Sequence, residues 1–270
     1  DGGGGGGGGS DESGRSGSVS LETAHRVRLV CRFLAIPEED DFWRLHIVLE
    51  AEARTLVAAI ARGQAAMLAR DTRELIESLE QFQSGLARLN ECHTQLWADG
   101  GRRDVVLARR LRPFLLSGMS DQQDMQLGCM YYTARSAILP MCLLFLGVRH
   151  EEPHPLLRTM QKSVRAMPGP HRAFLASLEK RGGGDVRSHL HAVAARTQVH
   201  ELALLEAGFN GCIEELLRFC SRRSNLVCRA FPHIAESFRE YYHRQLESCI
   251  HQARCKLLLQ RRMQGPAGRP

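Results

Sequence analysis

The sequence has no apolar run long enough to cross a lipid bilayer, and it has few aromatic residues. A membrane-spanning helix needs about 20 consecutive apolar residues, whereas the most apolar stretch, 137–148, is much shorter. Aromatic residues make up only 6% of the chain, but hydrophobic residues make up 43% of its 270 positions, which is enough for a packed core. We therefore predict a soluble protein that does not interact with membranes.

The sequence also lacks the short motifs that mark common catalytic and metal sites. It has no GxGxxG after a strand pattern, no GK[ST], no HExxH and no GxSxG. Its nine cysteines are irregularly spaced and include no CxxC pair, so neither a zinc site nor a disulfide framework is indicated. Reduced thiols are the simplest interpretation, and they predict a cytoplasmic protein.

The net charge of +6 comes almost entirely from arginines that are spread along the chain. Proteins that bind nucleic acid usually gather Lys and Arg on one face. Around 218–229 the arginines instead alternate with apolar positions. We therefore predict no nucleic-acid partner.

Helical periodicity accounts for most of the chain. One long helix is predicted from Asp41 to about residue 69, and a second from Asp71 to about Trp97, with Asp71 and Glu74 at capping-box spacing. The second helix carries a regular apolar series, formed by Leu75, Leu79, Phe82, Leu86 and Leu89. Further helices are predicted over 104–111, 136–148, 156–164, 167–180 and 233–259, and one or two helices over 186–230. No strand pattern interrupts them, so the predicted fold class is an all-α helical bundle.

The predicted organisation has five segments. Residues 1–19 are rich in Gly and Ser, and we predict disorder there because they cannot bury enough apolar surface. Residues 20–36 are a remnant or linker that leads into a helical domain over 37–232. An amphipathic C-terminal helix over 233–262 and a loose tail over 263–270 complete the chain.

Four stretches resemble one known family, and they occur in the family's order. They are FWRLHIVLEAEA at 42–53, RLRPFLLSG at 110–118, MPGPHRAFLASLE at 167–179 and LLEAGFNGCIEELLRF at 204–219. Together they resemble the large helical domain of indoleamine 2,3-dioxygenase, over roughly 37–231.

This resemblance implies a haem b cofactor in the bundle, with ferrous iron held by one proximal histidine. Enzymes of this family insert both atoms of O₂ across the indole C2–C3 bond of tryptophan or another indoleamine, which gives N-formylkynurenine in the kynurenine pathway. The protein must then supply an axial imidazole, a dry pocket and a cation for the substrate carboxylate.

Two positions match family residues on the substrate side of the haem. Arg112 aligns with the arginine that binds the substrate carboxylate, a role that suits the bidentate guanidinium. The alternative is a surface arginine before a proline turn, since Arg109 and Arg110 lie beside it. Ser136 aligns with the serine of the family's distal loop.

The proximal side departs from the family. The stretch 209–227 aligns without a gap on the family's proximal helix, where an arginine that contacts a haem propionate precedes the iron-ligating histidine by three residues. Those positions hold Cys220 and Arg223 here. Arginine stays protonated and has no lone pair to give to iron, so the resemblance implies a chain without the family's proximal ligand.

Three interpretations of this departure stay open. In the first, the fold persists while haem and dioxygenase activity are lost, which makes the chain a pseudoenzyme; the sequence favours this interpretation for activity. In the second, a substitute ligand holds the haem, and the candidates are Cys220, His200 and His233. In the third, the alignment needs a gap, and a histidine reaches the iron after all.

The alternative class of function is a haem-free helical scaffold that binds a protein partner. The amphipathic segment 233–262 extends beyond the resemblance, so it could supply an interaction helix. It could equally pack on its own domain, as most amphipathic helices do.

The family also has a smaller N-terminal domain, which closes one side of the pocket. That domain would precede Pro37, where only 1–36 are present. We therefore expect either a fragment or a lost domain, and in both cases a site that is open to water.

Overall fold

The structure is a computed structural model, and it describes residues 19–96, 106–111, 114, 136–149, 164–165, 167–180, 184–230 and 244–263. All regular secondary structure in these ranges is helical, and no strand occurs there, which confirms the all-α prediction. No helix in the described ranges is long and apolar enough to span a membrane.

The α-helices follow the predicted order along the chain. They are α1 Pro37–Glu52, α2 Arg54–Ala69, α3 Thr72–Leu96, α4 Ile138–Leu146, α5 Gly169–Lys180, α6 Val186–Val193, α7 Val199–Ala230, α8 Arg244–Gln252 and α9 Leu257–Met263. A 3-10 turn lies at Ala24–Arg26 and a π-helical turn at Leu107–Leu111. The helix predicted over 156–164 lies almost wholly outside the described residues.

Helix α3 is the centre of the bundle and packs mainly against α7 and α2. Its predicted apolar series is buried, and α7 presents a matching buried stripe. That stripe contains Leu205, Phe209, Cys212, Leu216 and Cys220. Burial of each Leu or Phe side chain stabilises the fold by about 1.5–3 kcal/mol, so the α3–α7 contact is a principal part of the core.

The first predicted helix differs from the structure at its start and in its middle. Helix α1 begins at Pro37 rather than Asp41, because proline suits the first helical turn, whose N–H groups have no partner within the helix. Ala53 then separates α1 from α2, with φ −64° and ψ −10°, so the prediction of one continuous helix is wrong. The apolar periodicity continues across the break and therefore does not reveal it.

The structure has one of the two hydrogen bonds of the capping box that was predicted at the start of α3. The backbone N–H of Glu74 donates to Asp71 Oδ1 at 3.0 Å, which is the N-cap bond. The Glu74 carboxylate accepts from Arg62 Nε on α2 at 2.8 Å instead of returning to the cap. The backbone N–H of Asp71 donates to the Ala66 carbonyl, so the second bond of the capping box is replaced by an interhelical ion pair.

The described part of the C-terminal segment packs on the same chain. It forms two helices, α8 and α9, which contact α7 and bury Leu246, Ile250 and Leu257. The backbone N–H of Cys255 between them donates to Asn210 Oδ1 on α7 at 3.0 Å. The structure thus has the intramolecular arrangement for 244–263, and the rest of the segment, including His233, lies outside the described residues.

Gly63 allows α2 to approach α3 closely. A Cβ atom at this position would lie 2.6 Å from Ser78 Oγ and 2.7 Å from Phe145 Cζ. We expect Gly63→Ala to lower the free energy of unfolding by about 1–3 kcal/mol because the added methyl group overpacks the contact. Gly208→Ala on α7 is the matched control, since its Cβ would meet Leu79 at an ordinary 3.5 Å.

Chemical denaturation of both variants checks this prediction. Gly208→Ala should leave the free energy of unfolding unchanged or raise it by up to about 1 kcal/mol, because alanine is the better helix former. Equal stabilities of the two variants would contradict the close approach at Gly63.

Candidate functional site

Arg223 lies on α7, and its guanidinium packs over a buried aromatic ring. The residue is half-buried, and its guanidinium carbon is 5.3 Å from the centroid of the Phe219 ring, one turn earlier. This is a cation–π contact with a buried ring. The charge of Arg223 also lowers the pKa values of His46 of α1 and His93 of α3.

His93 is the most unusual side chain of this group. It is only 8% exposed, and its ring meets the Phe219 ring edge-on, with centroids 5.5 Å apart. Its Nε2 is buried and has no hydrogen-bond partner among the described residues. Most buried polar atoms have a partner, and an unsatisfied one costs about 1–3 kcal/mol.

His46 has a defined tautomer. Its Nδ1 is 2.9 Å from the Phe42 carbonyl oxygen, and the two rings are in contact at 4.5 Å between centroids. Because a carbonyl can only accept, Nδ1 donates this bond and Nε2 carries the lone pair of the neutral ring. Metal-ligating histidines have this arrangement, in which one nitrogen donates to a carbonyl and the other is available.

Both imidazoles are neutral at neutral pH. Burial lowers the pKa of His93 to about 3, and the Arg223 charge lowers it further. Burial lowers the pKa of His46 to about 4, against the opposing effect of the Phe42 hydrogen bond and with a smaller contribution from Arg223. Of these three side chains, Arg223 alone is therefore charged.

A buried polar pair holds α3 and α7 in register beside this group. Asn90 lies one turn before His93, and its Nδ2 donates to both the backbone oxygen and the Oε2 of Glu215, at 3.1 Å and 2.9 Å. Glu215 lies one turn before Phe219, and both members of the pair are buried. This link sets His93 opposite Phe219 and next to Arg223.

The structure describes two of the three substitute iron ligands that the sequence suggested, Cys220 and His200. Cys220 is buried one turn before Arg223, and burial raises the pKa of its thiol to about 12. A metal that binds this sulfur would have to displace the proton. His200 is exposed on the first turn of α7. At 1.5 Å per residue it lies roughly 34 Å from Arg223 along the helix, which is too far to share a site.

The predicted substrate-side residues are only partly covered by the structure. Arg112 lies outside the described residues, and its neighbours Arg109 and Arg110 are exposed. Ser136 is half-buried, and its Oγ accepts the backbone N–H of Ile138 at 3.2 Å, a local bond at the start of α4.

Sequence reasoning overlooked His46 and His93, although a signal existed. His93 continues the apolar series of α3, four residues after Leu89, and His46 follows Phe42 by one turn on α1. A histidine at a core position of an apolar series is a candidate for a satisfied core residue or for a ligand. Only the missing partner of His93 Nε2 separates these two alternatives.

His93 makes the stability of the protein depend on pH. Because burial lowers its pKa from 6.5 to about 3, the folded protein binds fewer protons than the unfolded chain in this window. The free energy of unfolding should therefore fall as pH drops below about 6.5, by up to about 1.4 kcal/mol per pH unit for this group. Urea denaturation at several pH values measures the slope.

His93→Gln removes the titrating group, so its slope between pH values of about 6.5 and 5 should be shallower than that of the wild type. His200→Gln is the control, because His200 is exposed, and it should keep the wild-type slope. Equal slopes in all three proteins would refute a buried neutral ring at His93.

Comparison with known proteins agrees with the helical architecture. The sequence model of indoleamine 2,3-dioxygenase matches residues 12–245. The 6-hydroxytryptophan 2,3-dioxygenase fscD of Fusarium equiseti is 25% identical over 227 residues, which cover 78% of this chain and 52% of the fungal protein. The chain thus spans about half the length of this curated relative. Because the family match covers most of the sequence, the chain belongs to the indoleamine 2,3-dioxygenase family.

Proposed function

We propose that this chain is a catalytically degenerate member of its family, which keeps the helical scaffold but does not oxidise tryptophan or another indoleamine. The observation that carries the proposal is the arginine at the position of the family's proximal histidine. Arg223 is half-buried, its guanidinium lies over the buried Phe219 ring, and its charge acts on His46 and His93.

The physical argument concerns the electronics of the iron. Haem b, when bound, supplies the iron at which dioxygen is activated, and the axial ligand sets the electron density of that iron. A neutral imidazole donates a lone pair, whereas a guanidinium has none and carries a positive charge. Arg223 therefore cannot take the histidine's role.

The class of ligand that the ancestral site bound is that of the family. The fungal relative is named for the oxidation of a hydroxylated tryptophan, which supports an indole amino acid as the ligand of the ancestral site. In this proposal Arg112 binds the amino-acid carboxylate and Ser136 lies at the distal side. The cytoplasmic location stays a prediction from the cysteine pattern.

The haem-free interaction scaffold has less support. Its main argument was an amphipathic C-terminal helix. The described part of that segment contacts α7 and buries Leu246, Ile250 and Leu257, while Leu259 and Met263 at its end are exposed. We therefore keep degeneracy of the dioxygenase site as the proposal.

An assay of N-formylkynurenine formation tests the proposal. The purified chain is supplied with haemin, a reductant, O₂ and tryptophan, and we expect no product above the protein-free background. Arg223→His restores an imidazole at the family's position, so this variant should gain measurable turnover.

Arg222→His is the matched control, because Arg222 is the adjacent residue, is exposed and bonds Thr94 of α3. The same substitution there points about 100° away around the helix and should give no gain. Turnover by the wild-type chain would refute the proposed loss of activity.

A further inference from the structure

A groove opens between α3 and α7 beside the buried Asn90–Glu215 pair. It has a volume of about 350 Å³ and is lined by side chains of both helices. Small-molecule sites occupy about 300–1,000 Å³, so this groove suits a small organic ligand and is too small for a large cofactor. The charged residues of its lining are Glu91 on α3 and Glu215, Arg218 and Arg222 on α7.

Arg222 lines this groove with a guanidinium that is fixed in place but has no carboxylate partner among the described residues. Its Nη1 donates to the backbone oxygen of Asn90 and to Thr94 Oγ1. Both acceptors belong to α3, so the exposed side chain of Arg222 is held across the two helices. Its Nε and Nη2 make no hydrogen bond to any described residue. The edge of the guanidinium that these two nitrogens form can therefore receive a ligand.

The two carboxylates of the lining are bound to other cations. Glu215 Oε1 accepts from Arg218 Nη1 at 2.5 Å. Glu91 Oε2 accepts from Arg88 Nη1 at 2.9 Å, and Glu91 Oε1 accepts from Gln95 Nε2 at 2.6 Å. In the described part of the groove, the guanidinium of Arg222 is therefore the cation that these carboxylates leave unpaired.

The unused edge of Arg222 selects a carboxylate as the ligand group. Its N–H groups are parallel, and the two oxygens of one carboxylate can accept both of them. A phosphate dianion would bring a second negative charge close to Glu91. Arg88, which pairs with Glu91, is shared with Glu22 and Glu52, so it cannot neutralise that additional charge. A singly charged ligand therefore fits this groove better than a doubly charged one.

We propose that the groove between α3 and α7 binds a small organic acid with one carboxylate group, and that Arg222 binds this carboxylate through Nε and Nη2. The body of the acid then lies in the groove, whose lining also includes Ala87 and Gln95. Binding of the acid requires neither haem nor dioxygenase activity, so this site is independent of the proposed loss of activity.

Arg222 is favoured over Arg218 as the carboxylate-binding residue because it is fixed and unpaired. The Arg218 side chain is 61% exposed and pairs with Glu215, so an anion at Arg218 would compete with that carboxylate. Arg222 instead bonds two neutral acceptors, which leave its charge uncompensated. A guanidinium that is already held in place also loses less side-chain entropy when it binds a ligand.

Titration calorimetry of the purified full chain with benzoate, acetate and benzamide tests this site. At low ionic strength we expect benzoate to bind at one site per chain with a Kd on the order of 1 mM. Acetate should bind at least about threefold more weakly, because it buries less apolar surface in the groove. Benzamide is neutral and should not bind measurably.

Three outcomes of this titration would overturn the proposal. Absence of benzoate binding would remove the site. Equal affinities for benzoate and acetate would show a surface ion contact that does not use the groove, and equal affinities for benzoate and benzamide would refute the carboxylate contact. Inorganic phosphate is the fourth probe, and a lower Kd for phosphate than for benzoate would refute the preference for a single charge.

Arg222→Lys keeps the positive charge but removes the edge with two N–H groups, so it should raise the Kd for benzoate roughly tenfold. Arg73→Lys is the matched control, because Arg73 is an exposed arginine of α3 that lies roughly 26 Å from Asn90 along the helix. It should keep the wild-type Kd. An unchanged Kd in Arg222→Lys, or the same increase in both variants, would overturn the assignment of Arg222.

A measurement on the wild type separates ligand binding from damage to the fold. The arginine Nε–H signal that Arg222→Lys removes from the ¹H–¹⁵N NMR spectrum belongs to Arg222. In the wild type this signal should shift on addition of benzoate and give the Kd that calorimetry gives. Benzoate binding that leaves the Arg222 signal unmoved would place the site elsewhere and overturn the proposal.

Discussion

The packing of α3 along α7 is the contact on which the rest of this structure depends. Most of its energy comes from apolar burial, which has no preferred register. The Asn90–Glu215 pair favours one register, because sliding either helix would leave the buried amide group of Asn90 without the two bonds that its Nδ2 donates to Glu215. His93 and Phe219 face each other as a direct result.

The electrostatics of the interior follow from this contact. Two imidazoles from different helices lie close enough to Arg223 for its charge to lower their pKa values, and burial lowers them more. Among the described residues, the charge of Arg223 therefore acts on two neutral rings, and that of Arg222 acts on His93 as well. An arginine at the family's histidine position thus changes the charge of the whole site, beyond the loss of one ligand.

Membership of the family does not determine whether this chain catalyses the family's reaction. The helical scaffold belongs to the indoleamine 2,3-dioxygenase family, but a fold does not by itself determine the reaction that its site performs. Of the substitute ligands that the sequence offered, His200 is exposed and remote from Arg223, whereas Cys220 is buried one turn before it. The packing of α3 on α7 buries His93 against Phe219, a histidine that no sequence motif had marked.

The sequence by itself determined the helices and the chemistry of single residues. The apolar series of α3 and the Asp71 cap are local patterns, and the inability of arginine to ligate iron is a property of its side chain. Only the tertiary structure decided the break at Ala53, the packing of α8 and α9 on α7, and the contact of His93 with Phe219. The reason is physical: periodicity specifies which face of a helix is buried, but the crossing angle and register that bring distant residues together depend on how the helices pack.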